Sequence, residues 1–230
     1  MRREEYRNWR HLFKLDPDKL INDEHLDRIC LSGTDAIMIG GSSGVTFENT
    51  VELLSRVRRY SLPCVMEISN MDSIVPGFDL YFIPVVLNSR QPDWIVGMHQ
   101  QAVKTFGHRI PWEMIVPEGY CILNPDCEAA RLTDSQTDLD QSDVSAYAKL
   151  GEQMFQMPVI YLEYSGSFGD MELVHEVAQH LNHARLFYGG GIVDVHTATE
   201  AAAAADTIIV GNIVYENLEA ALQTVQVKTE

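Results

Sequence analysis

The chain has 230 residues, 46% hydrophobic and 22% charged, with 17 Lys and Arg against 33 Asp and Glu, a formal net charge of −16. That balance belongs to a globular protein and excludes the basic stripe of a nucleic-acid binder. The opening MRREEYRNWR is too polar for a secretory signal, and no window nears the roughly 20 apolar residues of a membrane span. A soluble, cytoplasmic protein is expected, with one domain over residues 1–230.

Taken in chain order, the first apolar run is HLFKL (11–15), followed by a helical pattern, NDEHLDRICLSG (22–33), with Asn22 as cap and Gly33 as stop. DAIMIGG (35–41) leads through GGSSG into FENTVELLSRVRRY (47–60). PCVMEIS (63–69) and LYFIPVVLN (80–88) follow, and QPDWIVGMHQQAVKTFG (91–107) is helical. EGYCILNP (118–125) precedes SDVSAYAKLGEQMFQ (142–156), with Ser142 as the expected cap. PVIYLEYSG (158–166), RLFYGGGI (185–192) and DTIIVGN (206–212) are each followed by a helical pattern, at 170–182, 193–205 and 214–227. Residues 108–118 and 133–140 read as surface loops.

The eight runs are β-branched or aromatic and continuous rather than alternating, as in parallel strands covered on both faces. Eight such strands with about eight crossovers in a chain this short predict an α/β fold, a single (β/α)8 TIM barrel. A doubly wound sheet would carry its glycine loop after the first strand, and none is there. Cys30, Cys64, Cys121 and Cys127 form no CxxC pair and are expected to be free thiols. His175, His180 and His183 lack a third ligand and read as a solvated helix face.

Active sites of such barrels form at the C-terminal ends of the strands. Alternation places Lys14 with Asp16 on one face, Glu67 with Ser69 on another, and Tyr161, Glu163 and Ser165 on a third, opposite Leu162 and Tyr164. An unpaired charge against the helix layer would be costly, so these sets are expected to face the barrel mouth. GGG at 189–191 and Gly211-Asn212 are amide-rich loops running into helices, suited to an anion; tight turns alone would explain each separately. Ser42, beside Asp16, offers hard oxygen for a cation, or simply caps a helix. Tyr81, Phe82, Ile83 and Val85 either line an apolar groove or pack in the core.

The motifs FKLDPDK (13–19), SGTDAIMIGGS (32–42), VPGFDLYFIPVVLNS (75–89), WIVGMHQ (94–100), GYCILNPDC (119–127), YLEYSG (161–166), FYGGGI (187–192) and IVGNIVYE (209–216) together resemble the prenylglyceryl phosphate synthases, nearest their bacterial heptaprenyl branch. The resemblance spans nearly the whole chain. It implies a TIM-barrel prenyltransferase joining sn-glycerol 1-phosphate to a polyprenyl diphosphate through an ether bond, with Mg2+ and release of diphosphate. By motif, Lys14, Tyr161, Leu162, Glu163, Tyr164, Ser165, Gly166, Gly191, Gly211 and Asn212 would bind glycerol 1-phosphate, and Asp16 and Ser42 would ligate Mg2+. Glu163 is the expected base or hydroxyl-orienting group, and Tyr164 is carried with it as catalytic, an aromatic face for a cationic allylic centre. A homodimer and transient membrane contact are also expected. The alternatives are a geranylgeranyl donor, a phosphate-sugar isomerase or aldolase on the same barrel, and a non-catalytic prenyl-lipid binder.

Overall fold

The computed structural model describes residues 4–228. Eight parallel strands close a barrel in sequence order: β1 (His11–Leu15), β2 (Ala36–Ile39), β3 (Cys64–Glu67), β4 (Tyr81–Val86), β5 (Ile115–Ile122), β6 (Val159–Glu163), β7 (Arg185–Gly189) and β8 (Thr207–Val210), which pairs back to β1. The expected TIM barrel is the observed one. No helix among the described residues is long and apolar enough to cross a membrane.

Alternation divides each strand between two cores. Leu12, Met38, Val65, Phe82, Tyr161 and Phe187 fill the barrel, while Phe13, Ile37, Met66, Leu162 and Tyr188 pack outward against the helices. Tyr6 and Trp9, just before β1, plug the barrel's lower end, their rings 5.9 and 6.5 Å from that of Phe82.

The helical layer is α1 (Asp23–Cys30), α2 (Phe47–Val57), α3 (Gly97–Phe106), α4 (Glu128–Thr133), α5 (Gln141–Lys149), α6 (Met171–His180), α7 (Val195–Ala204), α8 (Ile213–Glu216) and α9 (Leu218–Gln223). Asn22 caps α1 as expected, its side chain accepting the His25 N–H. At α5 the cap is Asp140 rather than Ser142: Asp140 accepts the Asp143 N–H in a capping box, and Ser142 instead donates its hydroxyl to Asp140. The last expected helix breaks at Asn217, whose side chain caps α9 afresh.

One connection carries no helix. Residues 68–80, between β3 and β4, run as an irregular segment, held where Ser73 donates its N–H and hydroxyl to Asn70 and Tyr81 donates to the Val75 carbonyl. Asn70, Pro76 and Gly77 favour turns there over a helix. One flank of the barrel is therefore left without a helical cover.

The chain after α5 continues as a π-helical turn, Leu150–Met154, which turns Glu152 inward. Its carboxylate accepts the backbone N–H groups of Asn182 (2.7 Å), His183 (2.6 Å) and Ala184 (2.9 Å), closing the turn into β7. Burial opposes ionisation, but these amides outweigh it and hold the Glu152 carboxyl at about 2, below its ordinary 4.5. A depressed folded-state value means the stabilisation is complete above pH 4.5 and is lost as pH falls towards about 2. Glu152→Gln is expected to cost on the order of 2 kcal/mol at neutral pH and to flatten the stability–pH curve across that window, read by urea unfolding.

Candidate active site

The loops after the strands enclose a cavity of about 610 Å3 at the C-terminal end of the barrel. Lys14, Asp16, Ser42, Tyr161, Glu163, Ser165, Gly166, Gly191, Gly211 and Asn212 all line it, so residues spread over some 200 positions converge as the strand-end parity predicts. Two expected members are placed elsewhere. Leu162 is fully buried in the outer core, and Tyr164 packs its ring 6.0 Å from that of Tyr188 on the helix side. Both occupy the opposite parity to Glu163, so their side chains are directed away from the mouth and only their backbone is near it.

Glu163 is the most tightly held group. One carboxylate oxygen accepts the Ser165 N–H and hydroxyl, both at 2.7 Å, and the other accepts the Tyr120 hydroxyl at 2.8 Å. Tyr161, its ring 4.5 Å from that of Tyr120, also faces Glu163. Burial, reinforced by Glu163, pushes the Tyr161 and Tyr120 hydroxyls well above the ordinary tyrosine range, so both remain donors.

Opposite stands Lys14, paired with Glu67 at 2.5 Å, their side chains 19% and 6% exposed. Burial alone would lower the Lys14 ammonium, but Glu67 and Glu163 raise it overall, so it stays charged. Burial raises Glu67, with Lys14 opposing. A further carboxyl lies in the barrel: Glu118, fully buried, with neither oxygen hydrogen-bonded among the described residues. Glu118 is missing from the expected site because it stands first in the run EGYCILNP, whereas candidates are drawn from the C-terminal ends of the runs. β5 in fact begins at Ile115, and Val116, Glu118, Tyr120 and Ile122 share the inner face. The alternation V-P-E-G-Y-C-I is the signal that finds it.

Asp16 follows β1 directly. Its N–H donates to the Tyr215 hydroxyl at 2.8 Å, and one carboxylate oxygen accepts the Asp18 N–H at 3.0 Å. Burial raises its carboxyl. The carboxylate lies where any side chain at Gly41 would stand, which explains a glycine immediately before Ser42. Gly191 has φ +59°, and a Cβ there would collide with the backbone of Ser167 and Phe168, so the glycine loop and the loop after β6 cross at van der Waals limit. No acceptor among the described residues takes the N–H groups of Gly191, Gly211 or Asn212. Such bare amides are an anion's ligands.

A second, apolar groove of about 160 Å3 opens on the flank left bare between β3 and β4. Ile68, Met71, Ile74, Ile83, Trp94 and Met98 line it, and it shares Lys14, Ser42, Glu163 and Ser165 with the polar cavity. Of the four residues expected on strand four, only Ile83 is there. Phe82 is inside the barrel, and Tyr81 and Val85 pack in the outer core.

An anion cradle of backbone amides, joined around Glu163 to an apolar groove, defines a (β/α)8 barrel for a ligand with a phosphate head and a hydrocarbon partner. Residues 4–229 match the PcrB family model, and the chain belongs to the PcrB family. It is 56% identical over 220 residues to a heptaprenylglyceryl phosphate synthase of Geobacillus sp. (strain WCH70), covering 96% of each chain. It is 53% identical over 218 residues to that of Bacillus cytotoxicus (strain DSM 22905 / CIP 110041 / 391-98 / NVH 391-98), covering 95% of each. The structure of (S)-3-O-geranylgeranylglyceryl phosphate synthase from Thermoplasma acidophilum, in complex with its substrate sn-glycerol-1-phosphate, superposes with a TM-score of 0.84 at 26% identity, over 98% of this chain and 95% of that one.

Gly191→Ala is expected to cost about 1–3 kcal/mol of stability from backbone strain. By calorimetry it should also weaken binding of inorganic phosphate about tenfold or more, since the crossing loops must separate.

Proposed function

We propose that this chain is a prenyltransferase that forms an ether bond between sn-glycerol 1-phosphate and a polyprenyl diphosphate, heptaprenyl in length, and releases diphosphate. The observation that carries this reading is the junction of amide-lined cavity and apolar groove at Glu163. A small phosphate-sugar isomerase has no use for the groove, and a passive lipid binder has no use for a carboxylate held by Ser165 and Tyr120.

In this reading the phosphate of glycerol 1-phosphate sits on the Gly191, Gly211 and Asn212 amides. Its free hydroxyl lies against Glu163 and attacks the allylic carbon at the end of the groove. The carbon–oxygen bond to diphosphate breaks as the ether bond forms, and the hydroxyl proton passes to Glu163. The proton moves late in this step, because the hydroxyl becomes acidic only as the bond to carbon develops. Lys14 faces the same cavity and balances phosphate charge.

The donor set suits magnesium. Asp16 presents a carboxylate oxygen not taken by Asp18, Ser42 adds a hydroxyl, and Gly41 leaves the room between. No group of three or more His, Cys, Asp or Glu is placed to hold a metal ion among the described residues, so such an ion would complete its shell with water and diphosphate oxygens, as Mg2+ commonly does. When bound there, it would neutralise charge building on the departing diphosphate. A homodimer in the cytoplasm, with transient membrane contact to collect its donor, completes the proposal.

Incubating the protein with radiolabelled sn-glycerol 1-phosphate and prenyl diphosphates of several lengths tests the reading. A lipid-soluble product, formed with magnesium and lost with chelator, is expected; no product at any length would overturn it. Glu163→Gln is expected to reduce kcat by about 100-fold or more while KM for glycerol 1-phosphate changes little. Met98→Glu places a charge in the groove and should raise KM for the prenyl donor about tenfold or more, with phosphate binding unaltered by calorimetry.

A further inference from the structure

The interior above Phe82 holds one ammonium and three carboxyl groups: Lys14 on β1, Glu67 on β3, Glu118 on β5 and Glu163 on β6. Two of the carboxyls have their charge compensated. Glu163 is an acceptor for Ser165 and Tyr120, and one oxygen of Glu67 receives Lys14. The other Glu67 oxygen and both Glu118 oxygens are buried with no hydrogen-bond partner among the described residues. No second cation faces this group among the described residues, and an isolated ionised carboxyl costs far more to bury than a neutral one.

We propose that Glu118 is a positioning residue: a neutral carboxylic acid whose O–H donates, directly or through one enclosed water, to the unpartnered oxygen of Glu67, fixing Glu67 and through it the Lys14 ammonium at the cavity floor. The inference rests on the proposed role of Lys14 beside substrate phosphate. Two of the three orphaned atoms then have a use, since a proton on one Glu118 oxygen supplies the donor that Glu67 lacks. The charges facing Glu118 from the surrounding strands agree. Burial drives its carboxyl well above the usual carboxylate range, Glu67 and Glu163 add to this, and Lys14 only partly opposes them. Tyr120 and Tyr161, the remaining titratable neighbours, are themselves held neutral. Enzymes of other folds use the same device of a carboxylic acid kept protonated in an apolar site so that it can donate. A carboxyl here, rather than leucine, makes the Lys14–Glu67 pair a chain of three and removes a rotamer choice from Glu67.

Infrared difference spectra of the wild type against Glu118→Gln test the protonation without any turnover. The carbonyl stretch of a protonated carboxylic acid is expected in the wild type, absent from the variant and still present at about pH 8. For the positioning role, Glu118→Leu, folded by circular dichroism, should lower kcat/KM for glycerol 1-phosphate about tenfold. Glu118→Gln, which retains a donor, should recover most of that loss and leave the pH profile of kcat/KM in place. Absence of the carbonyl band, or a folded Glu118→Leu enzyme with wild-type kinetics, overturns the proposal. Were the wild type to make no ether product at all, the functional reading would fail, while the spectrum would still decide whether Glu118 is neutral.

Discussion

Placing a single ammonium among three carboxyl groups inside a closed barrel constrains everything built above it. The Lys14–Glu67 pair lies between the hydrophobic plug of Phe82, Trp9 and Tyr6 and the open cavity, where the dielectric changes from protein to water. Such a pair gives weak net stability, because desolvation consumes most of its attraction, yet breaking one side leaves a bare charge. Its value is geometric. The pair holds a cation at a fixed depth, and the ring of Ser165, Tyr120 and Tyr161 holds an anion facing it. Two opposite charges kept apart by separate hydrogen-bond sets give a substrate hydroxyl and a substrate phosphate different places to bind.

The bare flank between β3 and β4 is the second constraint, and it follows from composition. A segment holding Asn70, Pro76 and Gly77 does not form a crossover helix, so Ile68, Met71 and Ile74 do not become the buried stripe of one. They face Ile83 and Met98 across an open groove instead. Elsewhere in the layer a helix covers the strand. Here an apolar surface stays uncovered and meets the polar cavity at Glu163, and the reading of a prenyl donor depends on that omission.

Much of this was legible in the sequence. Continuous β-branched runs and their spacing reveal a parallel barrel, and the period of two assigns Lys14, Glu67 and Glu163 to its interior before any coordinate is known. Where a contiguous motif was taken whole, parity disagreed: Leu162 and Tyr164 belong to YLEYSG but turn outward. Glu118 escapes because it opens the run EGYCILNP, while β5 begins three residues earlier and accommodates Pro117 opposite Ile83 in the register with β4. The contact between Lys14 and Glu67 spans 53 positions and depends on strand tilt and register, which no local pattern encodes. The helix-free flank showed only as a missing pattern, and a missing pattern does not state that a groove replaces it.

A net charge of −16 looks ill suited to binding two anions. The resolution lies in range. Surface carboxylates act through water and are screened beyond about 8 Å at physiological ionic strength, whereas the amides of Gly191, Gly211 and Asn212 touch their ligand directly. Amides carry no net charge to desolvate, so they bind a phosphate without the penalty that buried lysines would incur. Among the described residues, Lys14 supplies formal positive charge within the barrel, where Glu67 cancels it until a phosphate arrives to compete, and Lys19 supplies a second at the cavity wall, its Nζ 3.0 Å from Asn212 Oδ1. An anion in this cavity therefore meets oriented dipoles with lysines beside them, so an acidic protein can hold a phosphate at one point although its net charge repels anions at a distance.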